Sequence, residues 1–296
     1  MAVIPQQVLF LSPRWWPTVL ESIQTHPMLN DTLVQIIADY APGDLAFAEM
    51  VSQLTKHTPP NTRWHTTTVE SFNTVATGFL VAQLGLVSGM KDHIFVYANC
   101  APRQDDLIAR ENNEGEGLLY GISKTGVPML VVNSGFSLSF VKEHLSELWQ
   151  LETPRAGSQF RSRDIFPEYV GRFLKGDRGA LVKQLDPQEV VPDPPESRIA
   201  YVDSFGNLKT TMRKGCDTLD SLEEGQRVEI TVNGIARVAT VAGGSFQVSQ
   251  GDIAFAPGSS GYDRPFWEIF QRGGSAWLTY GNPRSGAPIE CRPLSV

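Results

Sequence analysis

Along the first 185 or so residues, apolar positions follow two alternating patterns. Short solid runs, VLFLS at 8–12, VQIIADY at 34–40, HIFVYANC at 93–100 and VPMLVVNSG at 127–135, have the length and composition of buried strands. Between them, over residues 18–23, 44–54 and 71–85, apolar residues return at helical spacing. In the last of these Phe72, Val75, Ala76, Phe79, Leu80 and Leu84 fall at that spacing. Asp44 follows the Pro42-Gly43 turn and predicts an N-cap, because a carboxylate there can accept from the first free amides of a helix. Strands separated by helices predict an α/β N-terminal domain, residues 1–185, on a largely parallel sheet.

The pattern then breaks. DPQEVVPDPPES, residues 186–197, carries four prolines in 12 positions, which excludes a continued helix or a central strand and predicts a linker. Beyond it, residues 198–296 read as an all-β barrel or sandwich domain. RIAYVDS, FQVSQGDIAFA and SAWLTYG supply short strands, and RVEITVNGIARVATVA alternates on both sides of Asn233-Gly234. That dipeptide predicts a two-residue hairpin turn, whose central positions both need positive φ.

Composition narrows the classes. The 296 residues carry 25 Lys and Arg against 32 Asp and Glu, a net charge of −7, with no basic block. Nucleic acid and membrane surfaces are therefore poor partners. Cys100, Cys216 and Cys291 form no CxxC pair and the five histidines no HExxH, so neither a metal site nor a disulfide framework is expected. MAVIPQQVLFLSP lacks a basic leader, and no run approaches the roughly 18 apolar residues of a membrane span. A soluble, cytoplasmic protein is expected.

Four stretches offer chemistry. In GSQFRSRDIFPEYVGRFLKG, residues 157–176, Ile165, Phe166, Tyr169, Val170, Phe173 and Leu174 share one helical face. Asp164 is the expected cap and Pro167 fits the first turn. Capping leaves Arg161, Ser162 and Arg163 unexplained, since cations at the positive end of a helix oppose its dipole unless an anion pairs with them. VDSFGNLKT, 202–210, is a turn by its Gly206-Asn207, yet Asp203 and Asn207 together could hold an amino group and a heterocycle edge. APGSSGY and RGGSAW are loops whose backbone groups could read a purine. NEGEGLLYG, 113–121, has close glycines but sits in a polar run, unlike a dinucleotide fingerprint, and no GxSxG elbow occurs.

In order and spacing, over most of the chain, these pieces resemble the S-adenosylmethionine hydroxide adenosyltransferases and the related fluorinases and chlorinases. APGD at 41–44 resembles that family's PPGD. QFRSRDIF at 159–166 is similar to its TFHGRDIF, VDSFGNLKT to IDxFGNLxTN, and SSGY with WEIFQRGGSA to SSGxLEIAxNxGxAA. The resemblance implies an α/β domain followed by a β-barrel and a homotrimer. The ligand would lie between the N-terminal domain of one subunit and the C-terminal domain of its neighbour. Water, hydroxide or halide attacks the ribose C5′ of S-adenosylmethionine, a substrate rather than a cofactor, and neutral methionine leaves. By resemblance Asp203 takes the methionine amino group and Asn207 the adenosyl part. Backbone groups of Ser275 and Ala276 take the adenine, and Phe160 and Ser162 lie near the attacked carbon. Asp44, Asn133, Phe205, Ser260 and Glu268 complete the expected substrate-binding set.

The sequence also departs from that family. Leu11-Ser12-Pro13-Arg14 stands where the family has TDFG, Asn99 or Cys100 where it has a second Asp, and Arg161 where it has His. Arginine cannot exchange a proton near neutral pH, so Arg161 cannot be a general base. The expected catalytic set is Asn99, Arg103, Asp105, Arg161 and Ser162, orienting water for hydrolysis to adenosine and methionine. The alternatives are a non-catalytic adenosyl- or nucleotide-binding protein on the same fold, or an enzyme for an anionic nucleoside held by Arg103, Arg161 and Arg163. Ser162 alone points to halogenation.

Overall fold

Among the described residues, seven strands build the first sheet: β1 (Leu33–Ala38), β2 (Arg63–Thr68), β3 (Ile94–Asn99), β4 (Leu118–Ser123), β5 (Pro128–Val132), β6 (Leu145–Leu151) and β7 (Leu181–Gln184). Their order is β2-β1-β3-β5-β4-β6-β7. The computed structural model describes residues 31–87, 89–100, 115–154, 158–215 and 217–294. The strand expected at 8–12, the helix expected at 18–23, Arg103, Asp105 and Cys216 lie outside the described residues.

The pairings β2–β1, β1–β3 and β3–β5 are parallel, while β5–β4, β4–β6 and β6–β7 are antiparallel. The sheet is thus mixed, a correction to the largely parallel sheet expected. The cause is the tight turn at 124–127 joining β4 to β5, with Gly126 at φ 87°. So short a connection makes a hairpin, whereas parallel neighbours need a long crossover. Strand β2, RWHTTT, has no apolar alternation, because as an edge strand it has no fully buried residue.

Helix α1 (Leu45–His57) starts where expected, with the Asp44 carboxylate accepting from the Ala46 amide at 2.8 Å. Helix α2 (Thr74–Gly85) buries ten of its 12 residues. A helix apolar on all sides needs cover on all sides, and α2 has it, with one sheet beneath it and residues of the second above. The stretch at 157–176 forms a single turn, α3 (Arg161–Asp164), running into α4 (Phe166–Leu174), whose Phe166, Val170, Phe173 and Leu174 are buried as the spacing predicted.

The segment at 186–197 is tied down rather than a free tether. Asp186 caps the turn α5 (Pro187–Val190), Val191 enters the core, and Asp193 pairs with Lys142 at 2.7 Å. Proline at the first helical position loses no needed donor, which is why Asp-Pro opens a helix here.

The second sheet contains β8 (Ile199–Val202), β9 (Leu208–Arg213), β10 (Arg227–Val232), β11 (Ile235–Val241), β12 (Ile253–Pro257), β13 (Phe266–Gln271) and β14 (Ile289–Pro293), in the order β14-β10-β11-β12-β13-β9-β8. Among these neighbours, β11–β12 alone is a parallel pair. A short helical turn, α6 (Asp217–Asp220), lies between β9 and β10. The Asn233-Gly234 turn has the expected positive φ angles, 48° and 82°. The two outer strands meet at an Arg198–Pro288 bridge, where Ile199 N–H donates to Ala287 O and Gly286 N–H to Ile199 O. The sheet therefore curls into a half-barrel around Val228, Ile230, Phe255, Trp267 and Ile269. SAWLTYG is not a strand. Ser275 caps α7 (Ala276–Thr279) by accepting from Leu278 N–H, and Gly281 at φ 72° ends it. Among the described residues, no helix is long and apolar enough to cross a membrane.

Aromatic rings join the sheets. Phe79 of α2 stacks on Tyr201 of β8, with centroids 5.8 Å apart and planes 10° apart, and lies 5.4 Å from Phe266 of β13 and 6.1 Å from Phe140. Gly78 beside it lets α2 approach the Phe136 carbonyl, where any Cβ would clash. Phe79→Ala is expected to lose about 3–5 kcal/mol of stability, read as a lower urea midpoint.

Candidate functional site

From β1 the chain passes through α1 to β2 on one side, then through α2 to β3 on the other. The carboxyl ends of β1 and β3 therefore flank a topological switch point, the place where open α/β sheets leave a crevice for ligands. Asp39 and Tyr40 leave β1 there, and Asn99 ends β3 with Cys100 behind it. The Tyr40 hydroxyl accepts from Asn99 Nδ2 at 2.9 Å and lies 2.5 Å from Ser162 Oγ, brought in by α3. Asn99 and Ser162 are buried. The Tyr40 ring stands edge-on to Phe160 at 6.1 Å and to Phe47 at 5.3 Å. Three expected site residues, Asn99, Phe160 and Ser162, thus gather around a tyrosine that sequence reasoning missed. Its only sequence signal is its place as the last residue of the run predicted as a strand at 34–40, two residues beyond where β1 ends.

Asp164 does not cap a helix. Its carboxylate binds the neighbouring Arg163 through two hydrogen bonds, Nε to Oδ1 at 2.6 Å and Nη2 to Oδ2 at 3.0 Å, and the helical turn starts three residues earlier. The Arg163 bond and one from Ser158 hold the Asp164 carboxyl below its usual range. Arg163 also reaches Glu49 at 3.2 Å and lies over the Phe160 ring. Arg161 donates to the main-chain carbonyls of Glu116 and Pro154, both at 3.2 Å. Gly115 packs where a side chain would strike the guanidinium, which explains that glycine of NEGEG. The run then enters strand β4, not a helix. The arginines that looked available for an anion are engaged by the protein itself.

Asp39 accepts from the Phe72 amide at 3.0 Å and holds Phe72 at φ 65°, fixing the entry to α2. Burial of Cys100, with the Asp39 charge as the smaller cause, pushes that thiol up to about 12. Two open grooves flank this region and share Tyr201. One, of about 680 Å³, is lined by Asp44, Phe47, His65 and Thr67, and the other, of about 340 Å³, by Asp39, Glu70 and Ser285. Asn133 is exposed just past β5.

The second set stands on the half-barrel. Asp203 Oδ1 accepts from the amides of Phe205 and Asn207, and Oδ2 from Asn207 Nδ2, all at 3.0 Å. Asp203 is thereby the keystone of its own loop, and Gly206 at φ 77° lets it turn against Ser275. The Trp277 amide donates to Gly206 O at 2.9 Å, bringing Ser275 and Ala276 to the same place. Phe205 is 77% exposed beside them, as is Leu278 at 64%. Ser260 is buried in the 258–265 loop, whose Gly261 amide donates to Gln83 of α2. Glu268 is buried and bound by Lys209 Nζ at 2.8 Å. The first set rests on β1, β3 and α3, and the second on the β8–β9 turn, β9, β13 and α7. Among the described residues, no group of His, Cys, Asp and Glu could hold a metal ion.

No protein-family model and no curated protein matches the sequence. Solved structures do share the fold. An uncharacterized conserved protein from Thermotoga maritima has a TM-score of 0.68 at 18% identity, covering 87% of this chain and 99% of its own. A conserved hypothetical protein from Thermus thermophilus has a TM-score of 0.61 at 19% identity, covering 89% and 100%.

Tyr40→Phe strips Asn99 and Ser162 of their shared hydroxyl, and urea unfolding is expected to show a loss of about 1–3 kcal/mol. In the folded protein at mildly alkaline pH, Cys100 stays protonated. Peptide mapping after iodoacetamide treatment is expected to find it unmodified until denaturant is added.

Proposed function

We propose that this chain binds S-adenosylmethionine and hydrolyses it to adenosine and methionine. It would work as a cytoplasmic homotrimer that needs no cofactor, its sheets arranged as the α/β and β-barrel domains of that enzyme family. The observation that carries the reading is the line Asn99–Tyr40–Ser162 beside Phe160 at the switch-point crevice. It places an amide and two hydroxyls next to an apolar wall, a setting suited to orienting one water against an alkyl carbon. Water oxygen bonds to C5′ as the C5′–S bond breaks, the electron pair stays on sulfur as neutral methionine, and the water proton passes to solvent. A sulfonium leaves readily, so alignment and partial desolvation contribute most, and no strong base is required. In the trimer, Asp203, Asn207, Ser275 and Ala276 of a neighbour close over the nucleoside, with Phe205 on their rim.

A second reading, binding without turnover, is favoured by one observation. Asp39, Arg161 and Arg163 around the crevice are engaged within the chain. The same engagement leaves less support for an anionic nucleoside held by those arginines.

Incubation of purified protein with S-adenosylmethionine is expected to release adenosine and methionine in equal amounts by chromatography. Ser162→Ala should slow release about tenfold or more. Product no greater than in a heat-killed control removes the hydrolase, and calorimetric binding without product then supports the second reading.

A further inference from the structure

We infer that Lys209 sets ligand specificity at the Asp203 loop by holding a carboxylate of the bound molecule, with Glu268 as the positioning residue that aims it. The inference rests on the reading that this loop is a ligand site, and it concerns a residue that the family resemblance leaves open.

Lys209 and Glu268 are direct partners on the antiparallel strands β9 and β13, so their side chains rise on one face of the sheet. Glu268 is 1% exposed and its Oε2 accepts from Lys209 Nζ at 2.8 Å. Its Oε1 is buried with no hydrogen-bond partner among the described residues, and it packs against Gly258, where a side chain would overlap it. The charge of Glu268 is therefore shared with no other donor, and the carboxylate has no room to swing away. Both facts fix the ammonium.

That ammonium lies 3.8 Å from Asp203 Oδ2, too far for a hydrogen bond and close enough for attraction. An ammonium has three donors, and Glu268 takes one of them. Asp203 is equally constrained, with three hydrogen bonds from its own loop and an acceptor direction left on Oδ2. The side chain of Lys209 keeps 13% exposure, so a ligand can reach it. A fixed cation beside a fixed anion complements a zwitterion. An α-amino acid group would offer its carboxylate to Lys209 and its ammonium to Asp203. The two carboxylates and one ammonium leave the site one negative charge, which balances a ligand of net charge +1, such as a sulfonium bearing an amino-acid tail.

Calorimetry with three probes tests this: S-adenosylmethionine, its decarboxylated analogue, and 5′-methylthioadenosine, which lacks both amino-acid groups. The wild type is expected to bind S-adenosylmethionine at least about tenfold more tightly than the decarboxylated analogue. Lys209→Met should weaken S-adenosylmethionine about tenfold or more and leave the other two within about threefold. The double variant K209M/E268Q, which leaves no unpaired buried charge, should do the same and guards against misfolding of the single variant. Equal affinity of the wild type for the first two probes overturns the inference, and so does equal weakening of all three in the folded double variant. In both cases methylthioadenosine binding leaves the nucleoside reading standing. Failure of all three probes to bind the wild type removes that reading and the inference together.

Discussion

The stacking of Phe79 on Tyr201 is the contact on which the arrangement of the molecule depends. Helix α2 is apolar on every side, which makes it unstable as the surface of a single sheet and stable as a layer between two. Its outward residues meet Ala200, Tyr201 and Phe266 of the second sheet in one continuous core with Val96, Met129 and Val131 of the first. The sheets are thus held by burial of apolar surface rather than by charge. The polar contacts at this boundary, such as Gly261 to Gln83 and Arg264 to Glu143, lie around the rim.

Because the core fixes the sheets, the strand ends they carry are fixed as well. Tyr40 does not depend on a flexible loop for its position. Its ring packs on Phe47 of α1 and its hydroxyl is held by groups from β3 and α3. The same economy governs the charged groups. Arg163 with Asp164, Arg161 with main-chain carbonyls, and Lys209 with Glu268 each have a partner within the chain. For Arg161 and Arg163 this removes a reason to expect a bound anion, whereas the Lys209 pair is fixed beside a second carboxylate with donors to spare.

Much of the fold was legible from periodicity where apolar burial decides the outcome. The runs around Ile36, Val96 and Val131, the helices after Asp44 and Asn73, and the Asn233-Gly234 hairpin all follow local rules. The misses have physical causes. Strand β2 has no fully buried residue and so shows no alternation, and β4 follows the close glycines of a polar run, which hides the short turn to β5 that decides strand direction. SAWLTYG carries β-forming residues yet is overruled by a serine cap and a terminal glycine. Asp164 looked like a cap because composition cannot reveal that the next arginine would compete for its carboxylate. At the candidate site, Asn99, Phe160 and Ser162 could be named from sequence, but Tyr40 could not, because its role arises only where two strand ends and a distant turn converge.

The closure of the half-barrel carries a consequence for how the chain is made. Ile199 satisfies both of its main-chain groups on residues 286 and 287, nearly ninety positions downstream. Bringing such distant segments together incurs a large loop-closure entropy before any contact compensates it. On the ribosome, β8 therefore emerges with an open flank long before its cover exists. Tyr201, on that same strand, packs on Phe79 of the lobe made earlier, a contact that anchors β8 through its side chain while its main-chain edge still waits for residues 286 and 287.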